Sequence, residues 1–213
     1  MKNVEIFNSI SEITDYIKLN AIQELGNGVE GVVYLTKSNK AIKYIQNSLN
    51  TIAYSSDIIM SNDYNLSSFI FPDKLLMYKN LVYGYESKYF KNDVLCNEYR
   101  RENVEIDLEK LLEARERLIE DVKVLTNEKY KLDDMPGNVL FDGNNLACID
   151  TLCYNRNAFV TLNNNISAID RALDFKLYVI DRKTADWNLS FENKVKKLII
   201  ENKTSKISIK PLY

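Results

Sequence analysis

The sequence predicts an α+β fold, and three observations carry that prediction. Strand-favouring runs crowd into residues 21–90, a long segment of helical period follows from Asp107 to about Thr126, and short mixed elements come after it. With 46% hydrophobic and 27% charged residues among 213, the chain has the composition of a soluble globular protein, one domain or two small lobes, that can bury a substantial core.

Taken in order, Ser9 and Glu12 form a capping-box pattern that opens a short helix, SEITDYIKL. The runs AIQEL, VVYLT and KAIKYI then read as an antiparallel meander, with a glycine loop between the first two and KSNK between the second two. The spacing of Ile52, Ser55 or Ser56 and Ile59 predicts a helix over NTIAYSSDIIM. KLLMY and LVYGYESKYF follow as strands joined at Lys79-Asn80, so the first ninety residues predict a five-stranded sheet with one inserted helix. KNDVLCNEYRREN is a polar connector. The long helix places Leu108, Leu111, Leu112, Leu118, Ile119, Val122 and Leu125 on one stripe, while EARERLIED supplies a solvated, charged face. Beyond it, NVLF and NLACI form a hairpin about Asp142-Gly143, and a helix near 165–175, a strand KLYVI and a helix near 190–201 complete the chain.

Composition removes several chemistries. No histidine is present, which excludes serine–histidine and cysteine–histidine nucleophile schemes and histidine zinc sites. Cys96, Cys148 and Cys153 are odd in number and lack C-x-x-C spacing, so they argue for a reducing cytoplasm, with Cys148 a small buried apolar residue. A net charge of -2 and a pI near 5.4 give nucleic acid no electrostatic foothold at the level of the whole chain. The charged amino-terminal stretch does not read as a signal peptide and no apolar run approaches spanning length, so no membrane association is expected. The fourteen tyrosines interleave with strand positions and read as core or cleft walls.

One stretch invites a sharper reading. LGNGVEGVVYL, residues 25–35, has the pattern G-x-G-x-x-G-x-V through Gly26, Gly28, Gly31 and Val33. Three of the six glycines in the chain fall here, where the absence of side chains lets backbone amides close over phosphates. Alone, the pattern suits a plain glycine hairpin equally well. Behind it stand Ala41 and Lys43 on one strand face, Asp133 or Asp134 just past the long helix, Asn138 five residues after Asp133, and Asp150 at the end of a strand.

In this order the motifs resemble those of the protein-kinase-like superfamily, which covers protein kinases and aminoglycoside-type small-molecule kinases. LGNGVEGVVYL resembles the glycine-rich loop and AIK the strand lysine motif; LDDMPGNVL resembles the catalytic loop, and CID the strand end that carries a metal-binding aspartate. The resemblance spans roughly residues 20–152 and is to a compact bacterial- or phage-type kinase. It implies a two-lobed fold, with an N-terminal lobe of five antiparallel strands and one helix over residues 1–92 and a small, mainly helical C-terminal lobe over 93–213. It also implies ATP and Mg2+ as cofactors. Gly26, Gly28, Gly31, Val33 and Ala41 would line the nucleotide, Lys43 would neutralise its α- and β-phosphates, and Asp133 would orient the acceptor hydroxyl and take its proton. Asn138 and Asp150 would ligate Mg2+. The helix glutamate expected to hold the lysine is missing; Asp57 is the substitute, with Asp63 second.

The departures are equally specific. Lys131 and Leu132 replace the His-Arg that precedes the catalytic aspartate, so activity should not need activation-loop phosphorylation. Met135 stands where serine/threonine kinases have a lysine, and Thr151 and Leu152 follow Asp150 in place of Phe-Gly. No A-P-E motif occurs, TADWNLSF only faintly matches a lobe-anchoring helix start, and 63 residues follow Asp150. The C-terminal lobe is therefore reduced, or completed by a protein partner or a second copy. The expected activity is transfer of a γ-phosphate to a hydroxyl, with protein serine or threonine preferred. The alternatives are a small-molecule kinase, tested by a panel of sugars, aminoglycosides and amino alcohols, and a nucleotide-binding pseudokinase scaffold.

Overall fold

The strand runs of the first ninety residues do form one sheet, with two short strands that the sequence did not announce. The computed structural model describes residues 3–46, 48–91, 94–95, 104–133, 136–180 and 189–209. Its internal contacts sort the chain into two units: Met1–Asn65, Ile70–Phe90 and Asp150–Cys153, and then Leu66–Phe69, Lys91–Ile149 and Tyr154–Tyr213. The fold is α+β. Among the described residues no helix is long and apolar enough to cross a membrane.

The first unit starts with β1 (Val4–Ile6) and α1 (Ile10–Asn20). Ser9 Oγ accepts the Glu12 N–H at 3.2 Å, and the Glu12 carboxylate reaches back to the Asn8 N–H at 3.0 Å, one residue further out than in the usual reciprocal cap. β2 (Ala21–Asn27), β3 (Gly31–Thr36) and β4 (Lys40–Ile45) form the predicted meander. After them come β5 (Ile52–Ala53), β6 (Pro72–Tyr78) and β7 (Leu81–Lys88). Lys79 and Asn80 both adopt left-handed backbone, φ 55° and 61°, which is the two-residue turn that a right-twisted hairpin requires. The sheet has seven strands in the order β1-β6-β7-β4-β3-β2, with β5 on β7 and with β1 parallel to β6.

Alternation of side chains divides the sheet into two faces. Ile42 and Leu76 pack with Tyr83 against Ile13 and Ile17, which lie four apart on α1. The opposite face carries Ile45, Leu75, Tyr85 and Leu152, joined by Ile58 and Met60.

The helix predicted over NTIAYSSDIIM is absent. A short 3-10 turn at Ser48–Asn50, β5 and turns occupy that region. Ile58, Ile59 and Met60 are buried in succession, which no single helical face permits, and Ser55 Oγ accepts the Asp57 N–H at 3.1 Å, the local competition that takes serine out of helices.

The second unit is built on three helices. β8 (Val104–Asp107) leads into α2 (Leu108–Asn127), capped by the Asp107 carboxylate, which accepts from the Glu109 and Lys110 N–H groups. β9 (Tyr130–Lys131), β10 (Val139–Phe141), β11 (Leu146–Cys148) and β12 (Asn155–Arg156) follow, then α3 (Leu162–Ile180), α4 (Phe191–Asn202) and β13 (Lys206–Ile209). Three antiparallel pairs form: β8 with β13, β9 with β12, and β10 with β11. In the last, the Asp142 carboxylate accepts the Asn144 and Asn145 N–H groups and Gly143 takes φ 99°.

KLYVI is the end of α3 and not a strand. Ile169, Ala172, Leu173, Lys176 and Leu177 are buried at helical spacing, and continuing the helix keeps that face covered. Arg115, read as part of a solvated face, is 8% exposed, and its guanidinium grips Asp170 of α3 through two bonds of 2.7 and 2.8 Å. Lys194 of α4 bonds Asp174 of α3 at 2.8 Å, which anchors the third helix. Cys148 is buried as expected, and burial pushes its thiol up to about 12. Cys96, most of the connector around it and most of TADWNLSF lie outside the described residues.

Candidate functional site

In the first unit Lys43 stands at the centre of the sheet. Its β4 backbone pairs with Val33 of β3 on one side and Tyr85 of β7 on the other, so Val33, Lys43 and Tyr85 form one cross-strand row. Ala41 is two residues earlier on the same face, half-buried like Val33. The Lys43 side chain is 10% exposed and its ammonium bonds two carboxylates, Glu30 at 2.9 Å and Asp150. Burial opposes the charge, but the Asp150 carboxylate beside it more than offsets this, and the Lys43 pKa lies above its ordinary value. Lys43 is therefore an ammonium throughout the physiological range.

Asp150 spends its second oxygen on the Tyr85 hydroxyl, which donates at 3.0 Å. Burial, reinforced by the Asp150 charge, drives the Tyr85 pKa well up, so the phenol stays a proton donor. Asp150 itself sits in left-handed backbone, φ 56°, a conformation that few side chains tolerate and that often marks a functional position. The lysine partner expected at Asp57 or Asp63 is thus replaced by Glu30 and Asp150. With no helix over residues 51–61, Asp57 and Asp63 serve turns, and the Asp63 carboxylate accepts the Met60 N–H at 2.8 Å.

Glu30 is the residue that sequence reasoning missed. It occupies the x position before Gly31 in the loop between β2 and β3, where the Gly28 N–H donates to the Gly31 carbonyl at 2.9 Å. The three glycines have different causes. A Cβ on Gly31 would stand 1.9 Å from the Tyr44 carbonyl oxygen, so strand pairing demands glycine there. A Cβ on Gly26 or Gly28 would meet nothing within 4 Å, and neither has positive φ, so nothing inside the chain requires glycine at either.

In the second unit Asp133 is half-buried just after β9, and its Oδ2 accepts from the Asn138 amide at 3.2 Å. Asn138 ends the 3-10 turn Pro136–Asn138, and its carbonyl accepts the Ile149 N–H at 2.8 Å, which locks the turn to the chain leaving β11. Asp134 and Met135 lie outside the described residues. Asn165 of α3, 1% exposed, supports this arrangement: its carbonyl accepts the Leu132 N–H at 3.0 Å, and its amide donates to Thr126 Oγ1 and the Tyr130 carbonyl, each at 2.9 Å. The backbone directly before Asp133 is therefore held from a helix. A concave pocket of about 500 Å³ opens on Asp133, lined by residues of β9, the 157–160 loop and α3. Among the described residues no group of three or more histidine, cysteine, aspartate or glutamate side chains could hold a metal ion by itself.

Comparison with known proteins adds little. No family model matches the chain, and no curated protein matches it. Among solved structures, a twitchin kinase fragment from C. elegans, described as autoregulated protein kinase and immunoglobulin domains, is 15% identical with a TM-score of 0.45. That match covers 73% of this chain and 36% of the twitchin chain.

Proposed function

We propose that the chain is an ATP- and Mg2+-dependent phosphotransferase acting on a hydroxyl. The observation that supports this most is within the first unit. Lys43 and Asp150, 107 residues apart and singled out from the sequence as a phosphate lysine and a metal aspartate, bond each other directly on the sheet face beside the glycine loop. A buried cation that holds a carboxylate in reserve suits a site that takes up a polyanion with its counter-ion. Gly26 and Gly28, unexplained by internal packing, suit a backbone that phosphates approach closely.

Taken unit by unit, the donor chemistry suits Mg2+: the Asp150 carboxylate in the first unit and the Asn138 amide oxygen in the second are each hard oxygen donors, and this ion needs few protein ligands when phosphates and water supply the rest. Once bound, the ion would neutralise charge on the transferring phosphoryl group. Within the second unit Asp133, oriented by Asn138, would take the proton of the acceptor hydroxyl. The resemblance favours a protein serine or threonine as the acceptor. The concave pocket at Asp133, within the roughly 300–1,000 Å³ range of small-molecule sites, supports the small-molecule alternative instead.

The test is calorimetric titration of ATP into the protein with and without Mg2+, beside a Lys43→Ala, Asp150→Ala variant. Mg2+-dependent binding in the native chain, weakened at least about tenfold in the variant, is expected. Absence of binding at millimolar ATP in the native chain would overturn the reading. Glu30→Gln in the same assay should tighten ATP binding by about two- to fivefold. The Glu30 carboxylate is 61% exposed and competes with phosphate for Lys43, and an exposed pair is worth no more than about 1 kcal/mol. Weaker binding by that variant would make Glu30 a contributor to the nucleotide site.

A further inference from the structure

We propose that Tyr85 is a positioning residue for Asp150: its hydroxyl reserves Oδ1 of the carboxylate, leaves Oδ2 as the oxygen offered to a cation, and so makes the site prefer Mg2+ to Ca2+. This rests on the phosphotransferase reading and adds the source of its metal preference. The starting observation is a hydroxyl that packing does not require. The Tyr85 ring is buried in the apolar cluster with Ile45, Leu75, Val82 and Leu152. A phenylalanine ring would fill the same space, and a hydroxyl among apolar side chains costs free energy unless it is bonded. Here it is bonded, donating to Asp150 Oδ1 at 3.0 Å.

The backbone at Asp150 is fixed separately, within the same unit. Thr151, fully buried, donates its hydroxyl to the Ile70 carbonyl at 3.2 Å, and Leu152 packs into the cluster that holds Tyr85. Thr151 and Leu152, which stand in place of Phe-Gly, therefore anchor the chain. The Tyr85 hydroxyl on Oδ1 and the Lys43 ammonium on Oδ2 then set the rotation of the carboxylate.

The two oxygens differ in what holds them. Lys43 is a cation on a flexible stem, and phosphates compete with Oδ2 for it. The Tyr85 hydroxyl is neutral and its ring is held in the core, so phosphates exert no comparable pull on it. When Lys43 turns to phosphate, Oδ2 is released and Oδ1 is kept, which makes Asp150 a one-oxygen ligand. Mg2+ suits such a ligand, because it demands a tight octahedron and takes most of its oxygens from phosphates and water. Ca2+ collects about six to eight oxygens and binds carboxylates through one oxygen or both, so losing the second oxygen penalises it more. Hydrogen-bond partners of a ligating carboxylate are worth about 10- to 100-fold in metal affinity.

The experiment is calorimetric titration of ADP into the full chain at a series of Mg2+ or Ca2+ concentrations, repeated with Tyr85→Phe and Tyr83→Phe. ADP carries no γ-phosphate, so affinity is read without turnover. Tyr83 is on the same strand but packs on the other sheet face with Ile42 and Leu76, and it controls for loss of a tyrosine hydroxyl as such. In the native chain Mg2+ should support ADP binding at least about tenfold more tightly than Ca2+ does. Tyr85→Phe should weaken the Mg2+-supported binding by about tenfold and leave the Ca2+-supported binding nearly unchanged, so that the preference disappears. Tyr83→Phe should keep it. Equal support by the two ions in the native chain, a preference kept in Tyr85→Phe, or one lost equally in Tyr83→Phe would overturn the proposal and leave the nucleotide site standing. Absence of ADP binding with either ion in the native chain would overturn the phosphotransferase reading, and the proposal with it.

Discussion

Replacing Asp133 by asparagine is expected to lower the rate of phosphoryl transfer by about 10²- to 10⁴-fold, the range associated with loss of a positioned general base. ATP affinity should stay within about twofold, a fold-change worth less than about 0.5 kcal/mol. The substitution preserves volume and leaves an oxygen to accept the Asn138 amide, which now donates to Asp133 Oδ2 at 3.2 Å, so the turn Pro136–Asn138 keeps its support. What is lost is the ability to take a proton. Asp133→Ala removes the hydrogen bond as well and should be slower still. Single-turnover measurement with saturating Mg-ATP separates the chemical step from binding. An unchanged rate in Asp133→Asn, together with a fall in Asp134→Asn, would move the base by one residue; an unchanged rate in both would remove the aspartate from the mechanism.

Much of the first unit was legible because its signals are local. The glycine loop, the Lys79-Asn80 turn and the alternation through KAIKYI and LVYGYESK depend on a few neighbouring residues, and the structure has strands wherever these signals were dense. The two short strands β1 and β5 were illegible for the opposite reason: three and two residues long, they exist only because β6 and β7 offer them an edge. The failed helix near residues 51–61 shows how a sparse apolar spacing can mislead when serines compete for the backbone and burial runs through consecutive residues. KLYVI misled by composition, since β-branched and aromatic residues at the end of a helix look like a strand until the buried face of the preceding turns is known.

The candidate site divides along similar lines. Lys43, Asp133, Asn138 and Asp150 could be singled out because their order and spacing carry chemical meaning. Which carboxylate holds Lys43 could not, because that depends on three-dimensional reach. Glu30 lies 13 residues away across a hairpin and Asp150 lies 107 away, and both reach Lys43 where the nearer-seeming Asp57 does not. The two aspartates chosen for the pairing were inferred from a helix that the chain does not form.

Asn165→Leu is the second substitution with a large expected effect, and it acts through structure and rate together. Asn165 lies in the run LNNNIS, where nothing in the sequence separates it from its neighbours. Buried between α3, α2 and β9, it satisfies the Leu132 N–H, the Thr126 hydroxyl and the Tyr130 carbonyl. Leucine nearly matches its volume but leaves the Leu132 N–H without that acceptor, at a residue 4% exposed. Thr126 loses less, because its hydroxyl also donates to the Val122 carbonyl at 2.8 Å. The sum should be about 2–4 kcal/mol of stability, since a buried donor stripped of its partner costs about 1–3 kcal/mol by itself. For a chain of this size that corresponds to a fall in Tm of roughly 10 °C, measurable by calorimetry. Asn165→Asp should recover part of it, keeping an acceptor for Leu132 but setting an oxygen against the Tyr130 carbonyl. The decisive readout is kcat per folded molecule at a temperature where both variants remain native. If Asn165 positions Asp133 through the Leu132 backbone, kcat falls about tenfold or more in the leucine variant while ATP affinity holds, because a displacement of the base near 1 Å is enough to cost about 10²-fold. A Tm loss with kcat intact would reduce Asn165 to a structural tie between α3 and β9, and Asp133 would owe its placement to its own contacts, the Asn138 amide among them.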